Sequence, residues 1–317
     1  MSKNYLYYRA INWNIVEDEF DNAVWERATS LFWLDTRIPI ENDFTNWVKL
    51  NLEEQEQLKR LLILLTNLST NQSIEVGEIV RNGKCSQQEV AILNNIQFIE
   101  MVNTKAYNRI LLTFDKEINL EKSFEWVDND SRVLEYLNDI NTVYRESSLV
   151  KKRFIALCVE GLLNYAYLSY LFELWINKEF NNLGTMLEMI IRNESLHCFY
   201  FSHKVKLLLK ESDPQEVERF KAWSYETVNH FVKLGLNIID DFYYLKESKK
   251  IAKNLILQEA NNILMGIGLK EQFSFNAEVL KGINYRLNNL RRHHLSISSN
   301  KSASTDEEIM EESDYEF

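Results

Sequence analysis

The chain is 317 residues long, 45% hydrophobic and 26% charged, which is ordinary for a globular protein with a sizeable core. Only 8 glycines and 2 prolines occur, too few for the turns of an all-β protein of this size, so long helices are expected. The net charge of -11 argues against a broad nucleic-acid-binding face, and three scattered cysteines imply no disulfide framework.

Met1 to Asn12 is polar and aromatic, without the apolar run of a signal peptide. No uninterrupted apolar stretch of about 18 residues marks a membrane span, and a reducing cytoplasm is the expected setting. Residues 1–50 are rich in Trp and Phe and contain Pro39, which predicts an arm with short helices. From Leu52 the pattern turns helical. Leu58, Leu61, Leu62, Leu65 and Leu68 predict one helix over Glu53 to Ile79, and Val90, Leu93, Ile96, Ile99, Val102 and Tyr107 a second over Gln87 to Phe114.

Val150 to Trp175 is apolar on nearly every face and belongs in the middle of a bundle. There Cys158, like Cys198 further on, reads as a small buried hydrophobe. Further helices are expected over Leu183 to Leu209, Glu218 to Phe242, Asn254 to Leu269 and Asn276 to Leu290. Residues 51–290 therefore read as one helical bundle. Arg291-Arg292-His293-His294 fits simple complementation of the last helix's dipole. Residues 291–317 form a flexible acidic tail, since Ser296 to Phe317 is too rich in Ser, Asp and Glu to order itself.

Three of the bundle helices carry an acid inside an apolar face. Glu100 sits in Phe98-Ile99-Glu100-Met101-Val102-Asn103, and Glu160 in Leu157-Cys158-Val159-Glu160-Gly161-Leu162. Glu194 and His197 share Ile190-Ile191-Arg192-Asn193-Glu194-Ser195-Leu196-His197. Residues i and i+3 lie on one helix face, so Glu194 and His197 can reach one ion. Glu-x-x-His alone recurs by chance in many helices. Three buried carboxylates on neighbouring helices, however, invite a cation, because each is costly unless paired, protonated or metal-bound.

Taken together, these segments resemble the class I ribonucleotide reductase small subunits, most closely the class Ib branch. The likeness begins at Ala10-Ile11-Asn12-Trp13-Asn14 and runs to the C-terminus. It includes Phe32-Trp33-Leu34, Leu65-Thr66-Asn67-Leu68-Ser69, the Glu100 helix through Tyr107, the Glu160 helix and Ile190 to His197. The resemblance implies an all-α, ferritin-like helical bundle that takes part in reducing ribonucleotides to deoxyribonucleotides.

That family holds two metal ions with one Asp, three Glu and two His. Glu100, Glu160, Glu194 and His197 match four of these ligands. Ser69 stands where the family has its Asp, and Asn103 where it has its first His. Both replacements fall on the same metal position, while the other keeps its ligands. Trp33 matches the family's radical-relay Trp, but Asn193 replaces the Asp that links it to the metal His. Asn164 replaces an apolar residue, usually Phe, one turn after Glu160. Tyr107 matches the radical-bearing Tyr, although a Tyr on that face serves equally well as core.

Neutral Ser and Asn are poor ligands for hard divalent ions. The resemblance thus implies one iron or manganese ion, or none, in place of a full di-metal centre. Radical generation by the chain alone is then in doubt. The tail ends in Asp314-Tyr315-Glu316-Phe317. Tyr315 and Phe317 resemble the aromatic anchors with which the family docks on its large (alpha) subunit, and a merely solvated acidic tail is the alternative. The other partners implied are a second small subunit, as homodimer or heterodimer, and a flavodoxin-like activator, with no nucleic acid and no membrane. Three functions stay open: a working beta subunit with an altered cofactor, a degenerate paralogue that supports an intact copy, or an oxidase-like member of the wider ferritin-like group, against which the docking tail argues.

Overall fold

The computed structural model describes residues 12–82 and 85–292, so the Tyr315–Phe317 tail and His293-His294 lie outside the described residues. Among the described residues the regular structure is entirely helical, as the scarcity of Gly and Pro predicts. In chain order, α1 spans Glu19–Ser30, the single turn α2 Phe44–Trp47 and the long α3 Leu52–Glu75. The short α4 (Glu78–Asn82) then leads into α5 (Gln87–Phe114). Next come α6 (Leu120–Asp128), α7 (Ser131–Glu146) and α8 (Leu149–Cys158). A π-helical turn, Val159–Leu163, joins α8 to α9 (Asn164–Lys178). The fold finishes with α10 (Asn181–Glu211), α11 (Pro214–Phe242), α12 (Lys246–Gly266) and α13 (Lys281–Arg292).

Local chemistry sets the helix starts. Asn51 and Glu54 form a reciprocal capping box at α3, Ser86 accepts from the Glu89 amide at α5, and Asp213 with Pro214 opens α11. The helix expected over Glu53 to Ile79 ends at Glu75, and a turn separates it from α4. Residues 115–149, which carry no predicted element, fold into α6 and α7. Both are short and mostly solvated. Helix α7 buries only the stripe Val133, Tyr136, Ile140 and Tyr144.

The largest departure from a regular bundle lies inside the apolar run Val150 to Trp175. The expected single helix is interrupted by the π-turn that carries Glu160. The run Leu149–Lys178 is long and apolar enough by composition to cross a membrane, yet all of its apolar window is buried inside the bundle. Helices α3 and α5 pack along much of their length, with α8, the π-turn and α10 beside one another and α12 against α9. These four inner elements, α3, α5, the π-turn and α10, position the candidate site. The approach of α10 to α9 depends on Gly184, where an added Cβ would fall 2.3 Å from the Trp175 ring.

Candidate metal centre

Each inner element delivers one part of a wholly enclosed polar cluster. Helix α3 brings Ser69 and Gln72, α5 brings Glu100, Asn103 and Tyr107, the π-turn brings Glu160, and α10 brings Asn193, Glu194 and His197. Asn164 enters from the first position of α9. Glu100, Glu160 and Glu194 are all 0% exposed, and His197 is 2% exposed. One ligand atom from each of Glu100, Glu160 and His197 lies within 4.8 Å of the others, close enough to share an ion. Glu194, one turn before His197, is buried beside this trio without joining that tight set. The π-turn matters here because one extra residue per turn re-aims a side chain, as π-bulges at functional sites commonly do.

Glu160 is the well-partnered acid. Gln72 Nε2 donates to its Oε1 at 2.7 Å, and His197 Nδ1 lies 3.0 Å from its Oε2. Glu100 and Glu194, by contrast, have no hydrogen-bond partner on any carboxylate oxygen. Burial, and then the Glu160 charge, push Glu100 well above the usual carboxylate range. The polar side chains of Ser69 and Asn103 beside it oppose that rise. Burial likewise raises Glu194, followed by the charges of Glu100 and Glu160, with Asn164 opposing. The Tyr107 phenol is raised by burial and then by Glu194, Glu100 and Glu160.

Orphaned polar atoms crowd the same space. Ser69 Oγ, both amide atoms of Asn103 and Asn164, the Tyr107 hydroxyl and His197 Nε2 all lack partners, as do the four oxygens of Glu100 and Glu194. Elsewhere in proteins such groups are nearly always satisfied, so this concentration marks a place built to receive something. Glu100, Glu160 and His197 could hold a cation there.

Trp33, only 4% exposed, leaves its Nε1 without a partner. Asn193 does not reach His197. Its amide donates instead to the Leu31 carbonyl at 3.2 Å and to Met189 at 3.0 Å.

The family assignment follows from a match along most of the chain: it fits the family described as ribonucleotide reductase, small chain, over residues 10–279. The chain belongs to that family. It is 26% identical over 264 residues to ribonucleoside-diphosphate reductase 2 subunit beta of Escherichia coli, covering 83% of both chains. It is 28% identical over 265 residues to subunit beta nrdF2 of Mycobacterium tuberculosis, covering 83% of this chain and 82% of that one. Among solved structures, dimanganese(II)-NrdF of Streptococcus sanguinis superposes with a TM-score of 0.83 at 29% identity, covering 90% of this chain and all of that one. Ribonucleotide reductase small subunits pair with a large subunit and form dimers, and the family's centres are di-iron or di-manganese.

Several features escape a reading of the sequence. Gln72 and Tyr144 join the cluster unannounced: Tyr144 donates to Gln72 Oε1 at 2.8 Å, and both residues are 0% exposed. A polar residue one turn after Ser69 in an apolar stripe is the signal that could have found Gln72. Cys158 is buried as expected, but Cys198 lines a cavity of about 640 Å³ together with Gly161, Tyr165 and Ser195. Arg291 also borders that cavity. It pairs with Glu259 at 2.9 Å and lies over the Tyr165 ring, so it does more than complement a helix dipole.

Proposed function

We propose that this small subunit serves as the beta component of a ribonucleoside-diphosphate reductase, with a centre that holds one metal ion rather than two. The observation that supports this most directly is the enclosed Glu100, Glu160 and His197 set, with ligand atoms within 4.8 Å of one another. The donor set fits one divalent ion and does not fit a pair. Ser69 and Asn103, neutral and poorly ligating, flank Glu100 where a second ion would need a carboxylate and an imidazole. Glu194, buried and subject to the charges of Glu100 and Glu160, is the candidate fourth ligand of the single ion.

Iron or manganese held there would supply one-electron redox chemistry. The chain's own residues would supply ligand oxygens, one imidazole nitrogen and a closed compartment that excludes bulk water. Tyr107 is the candidate radical site, 1% exposed and one turn beyond Asn103 on α5, and Trp33 is the candidate relay. Tyr315 and Phe317 would anchor the tail on the large subunit, as flexible acidic peptides with aromatic ends do. A flavodoxin-like activator and a second small subunit complete the partners, and the family's cytoplasmic setting applies.

A second reading has its own support. Ser69, Asn103 and Asn193 all stand at positions of one metal site and its radical relay, and the Asn193 amide is committed to backbone carbonyls. Those features favour a degenerate paralogue that assembles with an intact copy. Metal quantification with electron paramagnetic resonance, on protein produced with iron or with manganese, separates the two. One ion per chain is expected of the first reading, and any tyrosyl signal formed should be lost in Tyr107→Phe. Little metal and no signal would select the second, and two ions per chain would overturn the one-ion centre.

A further inference from the structure

Four buried side chains form an unbroken hydrogen-bonded line across the bundle: Tyr144 of α7, Gln72 of α3, Glu160 of the π-turn and His197 of α10. The Tyr144 hydroxyl donates to Gln72 Oε1 at 2.8 Å, Gln72 Nε2 donates to Glu160 Oε1 at 2.7 Å, and Glu160 Oε2 meets His197 Nδ1 at 3.0 Å. Tyr144, Gln72 and Glu160 are 0% exposed, so water does not compete for any of these contacts.

The orientation of the Gln72 amide follows from its two neighbours. A carboxylate oxygen can only accept, so the NH₂ group must face Glu160 and the carbonyl must face Tyr144. A flipped amide would set its carbonyl against Glu160 Oε1 and strand a buried donor. The Tyr144 hydroxyl closes the remaining freedom by satisfying that carbonyl. Glu100 and Glu194, whose oxygens have no partners, lack any such device.

We propose that Gln72 and Tyr144 are positioning residues for the metal centre: they hold Glu160 in its ligating rotamer before an ion arrives, leaving Oε2 as its coordinating atom. The proposal rests on the one-ion reading of Glu100, Glu160 and His197. It divides the site into a preset pole, Glu160 with His197, and an adaptable pole, Glu100 with Glu194, which closes on the ion once it is bound. Partners that orient ligands in this way typically contribute 10- to 100-fold to metal affinity.

The test is titration of the full-length protein with Mn(II), and separately with Co(II), whose visible bands report coordination geometry. Gln72→Met keeps the volume and removes both hydrogen bonds. It should weaken Mn(II) binding about 10- to 100-fold and shift the Co(II) bands. Tyr144→Phe keeps Gln72 but frees its amide to turn, and a loss of about 5-fold is expected, the worth of one ordinary hydrogen bond. Because Tyr144 acts through Gln72, the double variant should bind no worse than Gln72→Met alone.

Wild-type affinity and an unchanged Co(II) spectrum in a folded Gln72→Met protein would overturn the positioning role while leaving the one-ion centre intact. Full additivity of the two losses would overturn the line as a connected device. Failure of the wild-type protein to take up either ion would instead remove the one-ion reading, and this proposal with it. If Gln72→Met does not fold, as judged by circular dichroism, Tyr144→Phe carries the same test, and unchanged Mn(II) affinity and Co(II) bands there would overturn the proposal.

Discussion

Two clusters of buried charge lie within this bundle, and they are built on opposite principles. In one, Asp21 of α1, Glu89 of α5, Arg153 of α8 and Lys204 of α10 neutralise one another: Lys204 Nζ lies 2.8 Å from Asp21 and 3.5 Å from Glu89, and Arg153 pairs with Glu89. Ser86 adds a hydroxyl to Asp21 at 2.7 Å. Two acids face two bases, so the charges balance, although Asp21 Oδ1 and Arg153 Nε have no partner. In the other, Glu100, Glu160 and Glu194 face one imidazole and several neutral amides and hydroxyls. That cluster is short of positive charge. The first ties four helices together, whereas the second is folded around a deficit that an ion can fill.

The sharpest way to break the comparison is to unbalance the neutral cluster. Lys204→Met leaves Asp21 without its cation in a site only 6% exposed at the lysine side chain. Removing one partner of a buried pair typically costs about 3–5 kcal/mol, because the other charge stays behind unpaired. Urea unfolding should register that loss with metal present or absent. A change under 1 kcal/mol would mean that the cluster is hydrated and its charges are not held by one another.

The deficient cluster should respond in the reverse sense. Glu100→Gln removes one of three crowded acids, so the metal-free protein should gain about 1–3 kcal/mol of stability. The same variant should lose the stabilisation that an ion provides to the wild-type chain, about 2.7 kcal/mol at a hundredfold excess over Kd. Thermal unfolding with and without Mn(II) shows both effects. A destabilised metal-free variant would indicate that Glu100 already has a partner in solution.

The contrast between the clusters was only half legible in the sequence. Glu100, Glu160, Glu194 and His197 stand out because acids and a His interrupt apolar helical stripes, a pattern one strand of sequence displays. Their helices were legible for the same reason, and α5 has the predicted limits, Gln87 to Phe114. The π-turn was not legible, since Leu157 to Leu163 has the composition of any buried helix and the extra residue leaves no mark on periodicity. Nor was the pairing of Tyr144 with Gln72, whose residues lie 72 positions apart. The neutral cluster is equally long-range, with Asp21 and Lys204 separated by 183 residues. Short α6 and α7 escaped because little of either is buried, Val127 alone in α6 and one narrow stripe in α7.

Glu173 on α9 sharpens the comparison, because it falls between the two extremes. Its carboxylate has a hydroxyl but no cation: Ser248 donates to Oε2 at 2.9 Å, while Oε1 has no partner. Burial raises its pKa from 4.5 to about 7, opposed by Ser248 and helped by the nearby Glu247 charge. The folded state therefore holds a proton that the unfolded chain has already released. The associated stability is present in full below pH 4.5 and is lost as pH rises through 7. The shift corresponds to at most roughly 3 kcal/mol. Glu173→Gln should consequently differ little from the wild-type chain at pH 5 and be the more stable of the two at pH 8, by up to that amount. Denaturant midpoints at the two pH values check this. Equal differences at both would show that a single hydroxyl and partial exposure suffice to keep Glu173 ionised in the folded state.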